Sequence, residues 1–298
     1  MLGVAPGYWT LILLLTVAGL GNAAFHPQAL AAARSITRSR EGTAISLFMI
    51  GGELGRGVWP LVAGWLVMWL GLQGLWLFAI PGAFTLLLLV RTTPEMRPMP
   101  PRSVRNAWQR NRGRIIALVG FVGLRQTVSY GVKTFVPILW HAQGGSLIAG
   151  ASLISVMLVV GILGNFSGGM IADHLGRRPV IIWSSVLSAT ILALFMFSSG
   201  AWLWIALAFL GIAVWATAPV TMLIGQDLFP DNRSLASGVA LGAGNTVAAM
   251  AIFGLGFIAD YYGIAVSMWC IAGMSLLGFP LALMLPERTV QTYRAAGQ

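Results

Sequence analysis

From Pro179 to Gln226 the sequence carries no charged residue. A surface facing water needs charges spread through the elements it exposes, so no water-soluble fold accommodates such a run. It is also too long for one bilayer crossing, which takes about 20 apolar residues of helix. Ser198, Ser199 and Gly200 divide it, which predicts two spans joined by a tight turn. The rest of the 298-residue chain keeps the pattern, with 57% hydrophobic and 9% charged residues and a mean hydropathy of +0.83. Soluble enzymes, disordered chains and disulfide scaffolds are excluded. The single Cys270 has no partner for an internal bridge.

Nine charge-poor stretches reach spanning length, at about 8–25, 43–69, 72–90, 114–140, 146–172, 179–198, 201–225, 234–259 and 263–285. None alternates with the period of two that a trans-bilayer strand requires. The expected fold is an all-α polytopic membrane protein, a helical bundle of about nine spans. Placing Met1 outside puts all but Arg56, Arg125 and Lys133 of the 18 Lys and Arg residues on inner loops. That partition obeys the positive-inside rule and predicts a cytoplasmic C-terminus. The net charge of +10 is therefore a topology signal and an anionic-lipid contact rather than a nucleic-acid footprint. Trp9, Trp140, Trp202 and Trp204 fall near outer span ends, as an aromatic belt requires.

The one long polar stretch, 91–113, separates three spans (1–90) from six (114–298). Pro94, Pro98, Pro100 and Pro101 keep its first half from helix, whereas 103–112 suit a short surface helix. It reads as a basic cytoplasmic linker between two transmembrane bundles. Glycine-rich spans at 52–64 and 242–254 hint at an internal repeat, a plan common in transporters.

The most specific local pattern is Gly168-Gly169-Met170-Ile171-Ala172-Asp173-His174-Leu175-Gly176-Arg177-Arg178, at an inner span-to-span turn. Gly169 permits close packing, Gly176 permits a tight turn, and Asp173, Arg177 and Arg178 are available for ion pairs that hold one face shut. Asp227, at the next inner span end, joins this candidate gating set. The pattern resembles a marker of the major facilitator superfamily. Further stretches resemble its fosmidomycin resistance protein family: Gly21-Asn22-Ala23-Ala24-Phe25-His26-Pro27, Gln226-Asp227-Leu228-Phe229-Pro230, and Gly256-Phe257-Ile258-Ala259-Asp260. The resemblance implies a major facilitator-type bundle of two six-span halves and proton-driven export, including drug export and antibiotic resistance, at the inner membrane. It also implies that this chain starts at the family's fourth span, so that upstream spans or a partner subunit are expected to complete it. The antiporter pattern of the fifth family span is met in part by Gly55 to Gly64, with Trp59 and Ala63 in place of glycines.

Charges inside spans cost about 3 kcal/mol each on insertion scales and mark functional positions. At about 1.5 Å per residue, Arg56 and Arg125 fall near mid-membrane, whereas Lys133 falls near the outer surface and can snorkel. Arg125, with no acidic neighbour on its own helix, is the best candidate for binding an anion such as a phosphonate, organophosphate or carboxylate. Arg56, Gln126 and Tyr130 are further substrate-binding candidates, and Glu53 can instead pair with Arg56 one turn away. Glu53 is the candidate proton carrier. His26 is a second proton-coupling candidate, although a histidine beside Pro27 more often serves as a helix-end hydrogen-bonding group. His26, His141 and His174 lack metal-ligand spacing, and no cofactor or catalytic cluster is expected. The functional expectation is a proton-coupled exporter of a small anionic compound, with an uptake carrier for an organic anion, or a non-transporting remnant, as alternatives.

Overall fold

The computed structural model describes residues 7–35, 41–92, 104–230 and 233–287. Some side chains within these helices, including that of Arg56, lie outside the description, as do segment 93–103, Arg288 and Arg294. Among the described residues the regular elements are all helical: α1 (Tyr8–Ser35), α2 (Glu41–Leu70), α3 (Ala79–Thr92), α4 (Val104–Ala142), α5 (Leu147–Leu175), α6 (Arg177–Phe197), α7 (Ala201–Leu228), α8 (Arg233–Tyr262), α9 (Ile264–Leu276) and α10 (Gly278–Met284). A 3-10 turn, Leu72–Phe78, leads into α3.

Among the described residues, eight stretches are long and apolar enough to cross a membrane, so this is a multi-pass membrane protein. One of them, Ile264–Met284, combines α9 and α10. Pro280 has no N–H for the carbonyl of Leu276, which accounts for the break between these two helices. The ninth expected span is the continuous helix α2. It is not among the eight, because Glu53, Arg56 and Pro60 interrupt its apolar run.

Two local expectations need correction. Residues 104–112 are not a separate surface helix but the first turns of the 39-residue α4. Nothing between Val104 and Ala142 breaks that helix until Pro137, which lies inside it. His26-Pro27 likewise does not end a helix, since α1 runs on to Ser35. Leu30 and Ala33, both buried, continue its packed face beyond the proline.

Helix α7 forms the centre of the bundle, and α5 runs along it. Lipid tails supply no hydrophobic drive between spans, so close backbone approach through small residues matters most. Cβ atoms added at Gly164 and Gly168 of α5 would meet the backbone of Ile212 and Ala216 of α7. Gly211 of α7 abuts the backbone of Met157 in the same way. A similar crossing joins α4 and α8, where Gly123 lies against Val247 and Gly244 against Val122.

Buried apolar residues form two clusters. One lies toward the end that carries Arg177 (the basic end) and includes Ile115, Phe121, Ile181 and Leu223. The other lies toward the far end and includes Val132, Leu153, Leu207 and Ile271. Helices α1 and α2 contribute Leu30 and Ile45 to the first cluster, whereas among the described residues none of the second comes from α1–α3. The first helices therefore grip the following six at the basic end.

Candidate transport site and the closed basic end

The turn from α5 to α6 is a single residue, Gly176, with φ 95°. That backbone conformation favours glycine over any residue with a Cβ. About two turns earlier, Gly169 lets α2 approach so closely that a Cβ there would collide with the Ser46 hydroxyl and the Gly42 carbonyl. Ser46 Oγ itself donates to the Gly42 carbonyl at 2.9 Å.

This approach delivers the N-terminus of α2 to the Asp173 carboxylate. The Gly42 N–H donates to Oδ1 at 3.1 Å, and the Thr43 N–H and hydroxyl both donate to Oδ2 at 3.1 Å. The first N–H groups of a helix have no partner within it, and its dipole favours a negative charge there. Arg177, almost fully buried, pairs with Asp227 at the end of α7 and lies 3.8 Å from Glu41, the first residue of α2. Arg178 faces elsewhere: it donates to the Leu285 carbonyl at 3.0 Å and pairs with Glu287 at 3.4 Å. Of the expected gating residues, Asp173, Arg177 and Asp227 thus meet with α2, while Arg178 ties α6 to the end of α10.

A second polar cluster lies deeper. Counted at about 1.5 Å per residue, Glu53, Asn165, Trp215 and Asn245 sit roughly 15–20 Å from the basic ends of their helices, and Arg125 lies about 16 Å beyond Arg114, midway along the longer α4. Arg125 is only 6% exposed. Among the described residues its Nε and Nη1 have no hydrogen-bond partner, and its guanidinium lies 5.8 Å from the Trp215 ring centroid. Glu53, across on α2, is within electrostatic reach of Arg125. Gln126 donates to Asn245 Oδ1 at 2.7 Å, and the Tyr130 hydroxyl lies 3.3 Å from the same oxygen. Asn165 is wholly buried on α5, and among the described residues neither its two amide atoms nor Trp215 Nε1 has a partner. Buried polar atoms without partners cost about 1–3 kcal/mol each, so several at one depth mark a place built for something polar to enter.

The other expected residues are placed differently. His26 packs its ring edge-on against Phe48 at 6.0 Å, away from Arg125 in chain and helix. Lys133 lies over the Tyr130 ring at 4.3 Å. The Arg56 side chain lies outside the described residues, and Glu53 lies within electrostatic reach of Arg125. Sequence reasoning missed Glu41, Asn165, Trp215 and Asn245. An asparagine inside an apolar span was the available signal for two of them. Among the described residues no group of three His, Cys, Asp or Glu side chains could hold a metal ion.

The Major Facilitator Superfamily family model matches residues 1–139 and 119–297. An uncharacterized MFS-type transporter of Bacillus subtilis (strain 168) is 25% identical over 96% of this chain and 73% of its own length. The fosmidomycin resistance protein of Escherichia coli (strain K12) is 23% identical, again over 96% of this chain and 73% of its own length. Among solved structures, the E. coli fucose:proton symporter FucP superposes with a TM-score of 0.69 at 16% identity, covering 93% of this chain and 77% of FucP. The helical bundle, the glycine-and-charge turn after α5 and the family match agree: this chain belongs to the Major Facilitator Superfamily of membrane transporters.

Proposed function

We propose that the chain is a secondary carrier for a small organic anion, exchanging it for protons and exporting it from the cytoplasm. The supporting observation is Arg125: a buried guanidinium near mid-membrane with two N–H-bearing nitrogens unpartnered. Arginine's planar fork binds carboxylate or phosphonate oxygens in pairs, and the unpartnered indole and amide groups beside it supply further contacts. Similarity to a fosmidomycin resistance protein favours export of a phosphonate-like compound. The basic end faces the cytoplasm, as the positive-inside rule requires.

In this reading the basic end is a gate. It is held by Asp173 on the α2 N-terminus and by Glu41 beside Arg177, and it opens when α2 leaves α5 and α6. Glu53 carries the proton. Substrate contacts come from Arg125, with Gln126 and Tyr130 on the same helix and Arg56 as a further candidate from its place in the sequence. The chain has two transmembrane parts, 1–90 and 114–298, joined through the basic linker 91–113.

One observation favours the alternative of uptake. If Glu53 opposes Arg125 electrostatically, a proton on Glu53 frees Arg125 for the anion, so proton and anion bind together rather than displace each other. Such linkage drives symport. Proteoliposomes containing the full chain separate the two readings. Export by exchange predicts that an imposed proton gradient drives fosmidomycin against the direction of proton flow, and symport predicts movement with it. Arg125→Ala should abolish both. Transport that survives unchanged in Arg125→Ala with normal insertion would refute the anion site.

A further inference from the structure

A second set of arginines lies on the same helix as Arg125 but outside the site just described. Positions 110, 114, 118, 121 and 125 of α4 follow the i, i+3, i+4 rhythm and share one face. Arg110 and Arg114 stand at the basic end of this face. Leu118 and Phe121 follow, 2% and 3% exposed. Arg125 comes next, about 16 Å beyond Arg114 along the axis. A polar pair therefore sits at the mouth, an apolar plug follows, and a single guanidinium lies beneath.

The mouth is a real space. A cleft of about 660 Å³ opens there, lined by Arg110, Asn111, Gly113 and Arg114 of α4, Asp227 of α7, and Pro286 beyond α10. Its walls are fixed to one another, because the Asn111 side chain donates to the Leu228 carbonyl at 3.3 Å and so ties α4 to the end of α7. Asp227, the acidic group lining the cleft among the described residues, pairs with the buried Arg177. That leaves the positive field of Arg110 and Arg114 dominant. Arg112, between them in sequence, is exposed and does not line the cleft.

We propose that this cleft is a second oxyanion site, distinct from Arg125, that takes a phosphate group. The choice of phosphate follows from geometry. Two guanidinium forks one helical turn apart offer more donors than the two oxygens of a carboxylate can use, whereas a tetrahedral phosphate presents oxygens to both. The group is carried either by a soluble phosphate compound or by the headgroup of an anionic lipid at the membrane face. The site stands independently of the reading of Arg125 as the substrate anchor.

The test uses the purified full chain in a neutral detergent, with inorganic phosphate as probe in equilibrium dialysis. Arg110→Gln/Arg114→Gln should weaken binding at least tenfold. The charge-matched pair Arg91→Gln/Arg112→Gln, whose residues do not line the cleft, should leave it within twofold. Equal losses in both double variants, or no saturable binding by the unmodified chain, would overturn the proposal. Binding abolished by Arg125→Gln but not by Arg110→Gln/Arg114→Gln would also overturn it, while supporting the substrate anchor. Nanodiscs then assign the source. Phosphate excluded by phosphatidylglycerol but not by phosphatidylcholine identifies a lipid headgroup as the resident, and equal binding in both identifies a soluble phosphate.

Discussion

The contact between Asp173 and the start of α2 carries a prediction whose size can be worked out. In Asp173→Asn the side-chain oxygen can still accept from the Thr43 N–H and hydroxyl. The amide nitrogen then faces the Gly42 N–H, so that hydrogen bond is lost. A bond to a charged acceptor contributes about 1.5–3 kcal/mol net, and a charge at a helix N-terminus about 0.3–1 kcal/mol at an exposed site. Asp173 is only part-buried, so the lower ends apply. The closed basic end should lose about 2 kcal/mol relative to the open one, a shift of about 30-fold in their ratio. The readout is a cysteine placed under the contact. Ile45, fully buried on α2, is replaced by Cys in a Cys270→Ser background. A membrane-impermeant maleimide applied from the side that the basic end faces should then label it about 30 times faster when Asp173→Asn is added. A change of less than threefold would show that the hydrogen bonds at α2 do not hold the basic end shut.

Two further outcomes follow from the packing. Gly168→Leu should prevent α5 from reaching the Ala216 backbone and abolish the monodisperse peak in size-exclusion chromatography, whereas Gly254→Ala, with open space around it, should leave that peak unchanged. Asn245→Leu removes the acceptor shared by Gln126 and Tyr130. It should cost about 1–3 kcal/mol and lower the midpoint of thermal unfolding in detergent by several degrees, and an unchanged midpoint would mean the network adds nothing to stability.

Much of the architecture was legible because each span is a local property. The run from Pro179 to Gln226 needs no tertiary information to be read as two helices with a break at Ser198–Gly200, and α6 and α7 end and begin there. The turn containing Asp173, Gly176 and Arg177 was legible for the same reason, since its spacing lies within a dozen residues. Partners far apart in sequence were not. Nothing near Asp173 signals that the N–H groups of Gly42 and Thr43 will meet it, about 130 residues away. Glu41 reads as an ordinary first-turn acid until Arg177 is brought beside it. Arg125 was found through its insertion cost, whereas Asn165 and Trp215 hide among apolar neighbours, because an amide or indole costs far less in a span than a charge. The helix boundaries that failed, at Pro27 and before Gly113, were set by packing beyond the local signal: Leu30 and Ala33 extend α1, and Asn111 anchors the early turns of α4.

The glycine seam between α5 and α7 constrains how such a molecule can move. Where one backbone lies directly on another, at Gly164 on Ile212 and Gly168 on Ala216, no layer of side chains is left to slip or re-seat. The two helices behave as one welded strut. Asp173 rides at the end of one member and Asp227 at the end of the other, and Arg177, four residues beyond Asp173, bridges from the start of α6 to Asp227. What can let go is α2, whose hold on the strut near Gly169 combines the polar contacts at its tip with the packing of Ile45, Phe48 and Met49 in the basic-end cluster. The strut is the fulcrum, and α2 is the latch.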